Sequence, residues 1–328
     1  MFARTAKNVK GPNSSLLYKK NMIVTLKQIL SKAMSGGWAV PAFNINNMEI
    51  LQAVMQAALE SKSPVILQTS ESAIEYAGGL QQIASMLNMA AVDAGVPVCI
   101  HLDHGKDLEL IHRAMKFGYS SVMYDGSDLP TPENIKNTRK VVEWAKKFGI
   151  SVEAELGAIK GVEDKVNIKD KEAFFTVPAE AGEFVQKTGI DALAISIGTS
   201  HGVYKFKGQA ELDWERLKKI RHIVNVPLVL HGASSIDEKT VKEIIRLGGK
   251  IEGAKGLGEK VLKKAVVLGI SKVNTDSDLR LAFVLGLRKI LRDKPNNVDP
   301  RHIMKGAMSE IKKMAINKFK VLGAYGKA

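Results

Sequence analysis

Short apolar runs alternate with longer amphipathic stretches from residue 38 onward. Each run has six to eight residues rich in Val, Ile or Ala, which is typical of strands buried on both faces. The eight predicted strands are WAVPAFNI (38–45), PVILQTS (64–70), PVCIHLDH (97–104), SVMYDG (121–126), SVEAELG (151–157), DALAISIG (191–198), PLVLHGAS (227–234) and ISKVNTD (270–276).

The stretches between the runs have the period of amphipathic helices. In segment 48–62 the shared apolar face carries Ile50, Val54, Ala57 and Ala58. In segment 131–149 we predict Thr131 as the N-cap and Gly149 just past the end, where glycine accepts the left-handed conformation. Several of these segments finish in Gly followed by an apolar residue, directly before the next strand.

Eight strand–helix units in series predict a parallel sheet closed into a (β/α)8 barrel, an α/β fold of the TIM-barrel type. An open doubly wound sheet is the alternative, but the evenly repeated units lack the glycine signature of a phosphate-binding loop. We expect one barrel domain over residues 22–328, with a helical segment at its C-terminal end.

Polar and ionisable side chains follow the predicted strands, at the ends that face one rim of a barrel. Active sites of such barrels lie at this rim. Buried ionisable groups are costly unless they are paired or bind metal, so their clustering indicates function. The residues are Asn44, Ser70, Asp103, His104, Asp125, Glu153, Glu155, His201, His231, Asn274 and Asp276.

Three histidines, His104, His201 and His231, fall at the ends of predicted strands three, six and seven. Three imidazoles with an open fourth position are typical of catalytic zinc, although Co²⁺ or Fe²⁺ also suits them. Any one of them alone would be read as a hydrogen-bonded core histidine. His101, inside strand three, is expected to support the site by hydrogen bonding. The remaining histidines are expected at the surface or in packing: His112, His222 and His302.

Small polar turns follow strands seven and eight, at 231–234 and 274–277. Barrels often bind phosphate there through backbone N–H groups. Each turn alone is weak support, because such turns also simply connect a strand to a helix.

The 328-residue chain has a formal net charge of +14 and 25% charged residues. That charge is compatible with nucleic-acid binding, with attraction of a phosphorylated substrate, or with a lysine-rich solvated surface. Basic residues are interleaved with acids and aromatics make up only 6%, so we do not expect a nucleic-acid partner. No apolar stretch is long enough to span a membrane. The one cysteine, Cys99, is expected in the core.

The first 21 residues hold five basic residues, no acid and no apolar period. We interpret 1–21 as a disordered tail or the product of an upstream start codon, with Met22 as an alternative start. A short organelle presequence is the other interpretation. The expected location is otherwise the cytoplasm.

Over residues 22–328 the chain resembles the class II, zinc-dependent fructose-1,6-bisphosphate aldolases. The resemblance depends on the order and spacing of several motifs together, because any one of them alone is not specific. The motifs are VPAFNINN (40–47), HLDHG (101–105), YDGS (124–127), VEAELG with GVED (152–164), IGTSHGVYKF (197–206), LHGAS (230–234), KVNTDSDLRLAF (272–283) and DPR (299–301).

The resemblance implies reversible cleavage of D-fructose 1,6-bisphosphate through a zinc-stabilised enediolate. It implies zinc ligation by His104, His201 and His231, with Asp125 and Glu155 lining a more buried alternative position. Asp103 would be the acid/base at the C4 hydroxyl. Glu163 would exchange the proton at the dihydroxyacetone-phosphate carbon.

The resemblance also implies the substrate contacts. One phosphate would be held by Gly202, Gly232, Ser234, Asn274 and Ser277, while Asn44 and Ser70 contact substrate. Asp276 would select fructose over tagatose bisphosphate, and Arg280 would reach the second phosphate, across a subunit interface of a dimer or tetramer. A monovalent cation (Na⁺ or K⁺) near the phosphate turns is a further family expectation. Ser72 and Ser235 stand where the family commonly has Gly.

Three other functions stay open at this point. One is an aldolase for tagatose 1,6-bisphosphate or a related ketose bisphosphate. Another is a zinc hydrolase built on a barrel, which would need a water-activating base beside the metal. The third is a basic nucleic-acid-binding protein, whose affinity would depend steeply on salt.

Overall fold

A computed structural model describes residues 22–92, 94–157, 175–200 and 212–328. The strands within these ranges are β1 (Val40–Asn44), β2 (Val65–Thr69), β3 (Val98–Gly105), β4 (Ser121–Tyr124), β5 (Ser151–Leu156), β6 (Ala192–Ile195), β7 (Leu228–Leu230) and β8 (Ile270–Thr275). The helices are α1 (Leu26–Gly36), α2 (Met48–Glu60), α3 (Glu71–Tyr76), α4 (Leu80–Val92), α5 (Leu108–Lys116), α6 (Thr131–Phe148), α7 (Pro178–Thr188), α8 (Trp214–Ile223), α9 (Glu238–Arg246), α10 (Glu259–Val267), α11 (Ser277–Asp293) and α12 (Pro300–Val321).

The eight strands form one closed barrel in sequence order. Every neighbouring pair is parallel, and β1 closes the barrel by pairing with β8, where Ala42 lies opposite Asn274. The predicted (β/α)8 barrel is confirmed, and each predicted strand overlaps an observed one. Since all strands run the same way, their C-terminal ends meet at one rim.

The helices cover the outside of the barrel with their apolar faces. The predicted face of α2 is buried, as Ile50, Val54, Ala57 and Ala58 are each at most 4% exposed. Helix α6 ends at Gly149 with a φ of 67°, as predicted. The predicted N-cap was wrong by one residue, because Pro130 takes the capping position and Thr131 is the first helical residue. The extended backbone of Pro130 allows the helix to start there, without a side-chain cap.

Helices α11 and α12 complete the described chain after β8. Helix α12 packs against both α11 and α2. Its Phe319 makes an edge-to-face contact with Phe43 of β1, with ring centroids 5.7 Å apart. The start of α11, at Ser277, is therefore fixed beside the C-terminal rim of the barrel. Within the described ranges, none of the helices combines the length and apolar character needed to cross a membrane.

Candidate metal centre and substrate site

Strand β3 is irregular at the place where its polar residues are concentrated. Its register with β4 shifts between Leu102 and Gly105, and His104 has a φ of 49°. A left-handed backbone costs an ordinary residue about 1–2 kcal/mol. Consecutive side chains of a regular strand face opposite sides of the sheet. The distortion allows Asp103 and His104 both to join the cluster of polar groups contributed by other strands.

The imidazole of His104 lies between a carboxylate and a second imidazole. Its Nδ1 is 2.8 Å from Oδ2 of Asp125, and its Nε2 is 2.9 Å from Nδ1 of His231. Burial alone would raise the pKa of Asp125, but the hydrogen bond and charge of His104 hold it below its ordinary value. The Asp125 carboxylate therefore accepts from Nδ1 of His104, which directs the Nε2 lone pair toward His231. Two imidazole nitrogens at this separation need a shared proton or cation between them.

His231 is oriented from its other side by Glu153. The Nε2 of His231 is 2.8 Å from Oε1 of Glu153, and both side chains are fully buried. Lys272 of β8 donates to the same carboxylate at 2.8 and 3.1 Å. Burial would raise the pKa of Glu153, but the Lys272 ammonium and the His231 hydrogen bond hold it below its ordinary value. An ionised carboxylate only accepts, so His231 carries its proton on Nε2 and presents Nδ1 to the site.

His101 belongs to the same buried layer. Its Nε2 lies 3.4 Å from Nζ of Lys272 and 3.6 Å from Oε2 of Glu153, while its Nδ1 is 2.9 Å from Oγ of Ser121. Strands β3, β5 and β8 are not neighbours, so these contacts cross the barrel interior. Burial and the Lys272 charge lower the pKa of His101 to about 3. His101 is thus a neutral hydrogen-bonding residue beneath the site, in agreement with the expected supporting role.

The carboxylate of Glu155 faces both histidines at ion-pair distance. Its Oε2 is buried and lacks a hydrogen-bond partner among the described residues. That oxygen lies 3.7 Å from Nδ1 of His104 and 3.5 Å from Nδ1 of His231. Buried polar atoms are rarely left unsatisfied without a functional reason. A buried carboxylate oxygen that faces two imidazole nitrogens without a hydrogen bond to either has the chemistry of a metal ligand.

Two overlapping groups of side chains have the spacing to hold a metal ion. Ligand atoms of Asp103, His104 and His231 lie within 4.8 Å of one another, as do those of His104, Asp125 and Glu155. Burial would lower the pKa of His104, but the surrounding carboxylates of Asp103, Asp125 and Glu155 raise it well above its ordinary value. The site therefore favours positive charge. Imidazole and carboxylate donors fit a divalent transition metal.

Asp103 is held by amides on both of its oxygens. Gln68 Nε2 donates to Oδ2 at 2.9 Å, Asn44 Nδ2 lies 3.4 Å from the same oxygen, and Asn274 Nδ2 donates to Oδ1 at 3.0 Å. Burial would raise the pKa of Asp103, but the charges of His104 and Lys272 keep it below its ordinary value. Asp103 is therefore an oriented, ionised carboxylate beside the facing nitrogens of His104 and His231.

The turn after β7 follows His231 directly. Gly232 has a φ of 59°, and a Cβ there would lie 2.8 Å from the backbone of Ser200. Only glycine fits this left-handed, crowded position. Ser234 is 3% exposed, and Ser277 at the start of α11 is 1% exposed. Of the predicted phosphate residues, Gly232 and Ser234 thus follow β7, Asn274 lies near the C-terminal end of β8, and Ser277 begins α11, all at the same rim.

Asp276 and Arg280 form a two-point ion pair on the first turn of α11. Nε of Arg280 is 3.0 Å from Oδ1 of Asp276, and one terminal nitrogen is 2.7 Å from Oδ2. The aspartate side chain is buried while that of the arginine is 55% exposed. Asp276 therefore orients a guanidinium whose outer side faces solvent.

The remaining predicted residues divide into two groups. Ser70 caps α3, accepting from the N–H of Ala73, and its Oγ is 2.9 Å from Oγ of Ser72. The predicted ligand His201, the phosphate residue Gly202 and the proton-transfer residue Glu163 lie outside the described residues.

The sequence analysis missed Gln68 and Lys272, and it assigned no role to Glu153. Gln68 sits in the middle of the apolar run VILQT and Lys272 in ISKVNT. A lysine or glutamine inside a strand that is buried on both faces needs a partner in the barrel interior. That signal was available in the sequence, although it did not identify the partner.

Comparisons with known proteins agree with this geometry. The family model described as "Fructose-bisphosphate aldolase class-II" matches residues 24–327. The fructose-bisphosphate aldolase of Thermus caldophilus is 44% identical over 94% of this chain and 100% of the relative. That of Helicobacter pylori is 42% identical over 93% of this chain and 100% of the relative.

Solved structures show the same likeness in three dimensions. The YdjI aldolase of Escherichia coli K12 has a TM-score of 0.75 and 31% identity, over 93% of this chain and 99% of that one. A putative fructose-1,6-bisphosphate aldolase from Coccidioides immitis also has a TM-score of 0.75, with 30% identity over 92% and 97% of the two chains.

The chain belongs to the class II fructose-bisphosphate aldolase family. The predicted family and the enzyme class, an aldehyde-lyase, are confirmed. Members of this family are metal-dependent, and the His, Asp and Glu groups at the rim of this barrel fit that requirement. A sugar bisphosphate as substrate fits the family as well.

Proposed function

We propose that the protein cleaves D-fructose 1,6-bisphosphate reversibly to dihydroxyacetone phosphate and glyceraldehyde 3-phosphate, with Zn²⁺ as its metal. The observation that carries the proposal is that two consecutive residues of β3 supply a candidate metal ligand, His104, and a candidate proton acceptor, Asp103. His104 Nε2 faces Nδ1 of His231 at 2.9 Å, while Asp103 is fixed beside them by Gln68 and Asn274. An aldolase needs an electrophile and a proton acceptor at this spacing.

His104 and His231 would hold the metal through the nitrogens that face each other, with His201 as the third ligand. Asp125 and Glu155 would line a second, more buried position, which is supported by ligand atoms of His104, Asp125 and Glu155 lying within 4.8 Å of one another. A divalent cation bound here supplies Lewis-acid polarisation of the substrate carbonyl and hydroxyl oxygens. No lysine Schiff base is required, and Lys272 is fully buried against Glu153 rather than at the rim.

Asp103 would take the proton from the C4 hydroxyl as the C3–C4 bond breaks. The bonding electrons stay on the C3 side, and the C4 fragment leaves as an aldehyde. Glu163 would then deliver a proton to C3, which completes dihydroxyacetone phosphate. The charges of His104 and Lys272 keep the Asp103 carboxylate ionised, and the surrounding amides orient it. Proton transfers of this kind typically contribute ~10²–10⁴-fold each.

Asn44 and Asn274 would contact the substrate as well as Asp103. Asn274 leaves its Oδ1 buried and without a partner among the described residues, so this amide has an acceptor available for a substrate hydroxyl. Gly202, Gly232, Ser234 and Ser277 would bind one phosphate, and Ser70 would contact the sugar. Arg280, oriented by Asp276, would bind the second phosphate, of its own or a neighbouring subunit.

A homo-oligomer, a cytoplasmic location and a monovalent cation near the phosphate turns belong to the same proposal. The exposed guanidinium of Arg280 supports the first of these, since it has the reach to serve a neighbouring copy. Residues 1–21 would form a separate basic extension of the barrel domain.

A coupled assay tests the function directly. Fructose 1,6-bisphosphate and tagatose 1,6-bisphosphate are supplied separately, with and without a strong chelator, and triose phosphate formation is followed. We expect cleavage of the fructose compound, loss with chelator, and recovery when Zn²⁺ is returned. Activity that persists in the presence of the chelator would overturn the metal mechanism. Faster cleavage of tagatose 1,6-bisphosphate would show that the tagatose compound, not the fructose compound, is the substrate. Co²⁺ and Fe²⁺ added to stripped enzyme identify the preferred metal.

A further inference from the structure

A buried ion pair joins the two C-terminal helices behind the turn that follows β7. Nζ of Lys318, in the last turn of α12, is 3.1 Å from Oδ2 of Asp278, in the first turn of α11. The two side chains are only 3% and 4% exposed. A buried ion pair rarely adds net stability over an apolar pair of the same size, because both charges lose hydration. Its presence calls for another explanation.

Both members of the pair hold Ser235. The backbone N–H of Ser235 donates to Oδ2 of Asp278 at 3.1 Å, and its hydroxyl accepts from Nζ of Lys318 at 2.5 Å. Ser235 directly follows the turn 231–234. The ion pair is therefore attached to that turn through one backbone group and one hydroxyl group.

The turn is held by a third element as well. The carbonyl of Ser234 accepts from the N–H of Leu257 at 2.9 Å. Gly256 comes so close that a Cβ there would lie 2.3 Å from that carbonyl oxygen and 2.5 Å from the N–H of Ile236. Such contacts fix the backbone of Ser234 and Ser235 against the rest of the rim.

We propose that Lys318 and Asp278 are positioning residues for phosphate binding, which act through Ser235 on the turn that carries Gly232 and Ser234. The inference rests on the proposed function, in which this turn binds a substrate phosphate. Phosphate recognition by backbone N–H groups depends on their direction, so a turn fixed in advance binds without an ordering cost. The end of α12 would thereby position the turn through Ser235, which lies 83 residues before Lys318 in the chain.

Three variants test the proposal in the metal-loaded enzyme. Lys318→Met keeps the length of the side chain without its charge, Asp278→Asn keeps an acceptor for Ser235, and Ser235→Ala removes only the hydroxyl. Lys289→Met is the matched control, because Lys289 of α11 pairs with Glu310 of α12 at 3.3 Å without touching the turn. The measurements are the inhibition constant of inorganic phosphate, KM and kcat for fructose 1,6-bisphosphate, and metal content.

We expect Lys318→Met to raise the phosphate inhibition constant and KM about 10-fold, with kcat and metal content close to those of the wild type. Ser235→Ala should raise the same two constants by a smaller factor. It replaces Lys318→Met as the test if Lys318→Met does not fold. Lys289→Met should change neither constant.

If the wild type binds phosphate and the phosphate inhibition constant is unchanged in Lys318→Met and Ser235→Ala, the positioning role is wrong. The proposed function would still stand in that case. A wild type that neither binds phosphate competitively nor cleaves the sugar would overturn the proposed function, and this inference with it. Equal losses in Lys318→Met and Lys289→Met would show that helix packing, not the turn, is affected, which also contradicts the proposal.

Discussion

Nε2 of His231 donates to Oε1 of Glu153 at 2.8 Å, on the side of the ring opposite to its 2.9 Å approach to His104. The same carboxylate binds Lys272, which is fully buried. A metal-binding histidine commonly has such a partner, which fixes its tautomer and raises its basicity. Here the Glu153 carboxylate is itself paired, with Lys272 of β8, across the barrel interior.

Replacing either supporting residue should weaken metal binding. We expect Glu153→Gln and Lys272→Met to raise the dissociation constant for Zn²⁺ about 10–100-fold, measured by competition with a chromogenic chelator. Lys272→Met should also lower the free energy of unfolding by about 3–5 kcal/mol, since it leaves the Glu153 carboxylate buried without its cation. Glu215→Gln, which breaks an exposed ion pair with Lys218 on α8, is the control. Wild-type metal affinity in both core variants would contradict the supporting role.

Asp103 and His104 are adjacent, but we expect their substitutions to have different effects on metal content and on cleavage. Asp103→Ala should retain the metal and lose about 10²–10⁴-fold in kcat, because it removes a proton carrier. His104→Ala should lose both metal and cleavage. Metal content by atomic spectrometry and steady-state kinetics on the same samples decide the matter. If Asp103→Ala emerges without metal, Asp103 is a ligand, as its place in one of the donor groups allows.

Asp276 should control the choice of sugar through Arg280. Asp276→Ala releases the guanidinium from its two-point contact, so the preference for fructose over tagatose bisphosphate should shrink by about 10-fold or more in kcat/KM, as expected when a hydrogen-bonded charge contact is lost. Asp293→Ala removes an aspartate that pairs with Arg292 at the other end of α11 and should leave the ratio unchanged. An unaltered ratio in Asp276→Ala would exclude the aspartate as the selecting residue.

His101 should make the apoprotein less stable in acid. Its pKa is about 3 in the fold against 6.5 in the unfolded chain, so between these values the unfolded chain binds one more proton. This penalty is absent above pH 6.5, grows as the pH falls by up to about 1.4 kcal/mol per pH unit, and is complete near pH 3. Urea unfolding of chelator-treated protein should therefore show a shallower pH slope for His101→Asn. Parallel curves for variant and wild type would contradict a neutral, buried imidazole.

Cys99 should be inert in the native protein. Burial raises the pKa of its thiol to about 12, and the side chain is fully buried. At pH 8 we expect iodoacetamide to label it only after denaturation, as followed by intact mass. Rapid labelling of the native enzyme would mean that β3 opens readily.

The sequence was sufficient for the barrel because each apolar run and its following helix repeat the same local pattern. It was also sufficient to bring His104, Asp103 and His231 to one rim, since parallel strands share a C-terminal edge. The boundaries were less certain. Thr131, predicted as the N-cap of α6, is its first helical residue, and the extended Pro130 takes the N-cap position without a side-chain hydrogen bond.

Contacts across the barrel could not be read from the sequence. Lys272 meets Glu153 from 119 residues away, and which of the inward side chains meet depends on strand tilt and register. The same applies to Lys318 and Ser235, which are joined only by the packing of α12. The left-handed backbone of His104 was hidden as well, because nothing in HLDHG marks which residue departs from the strand.

That backbone at position 104 has a consequence for how the protein can change. Glycine adopts a φ of 49° without strain, whereas histidine does not. Position 104 therefore combines a backbone that favours glycine with an imidazole that contacts both Asp125 and His231. Glycine at this position would relieve the backbone but leave the buried Asp125 carboxylate without its hydrogen-bond partner, so the two effects on stability oppose each other.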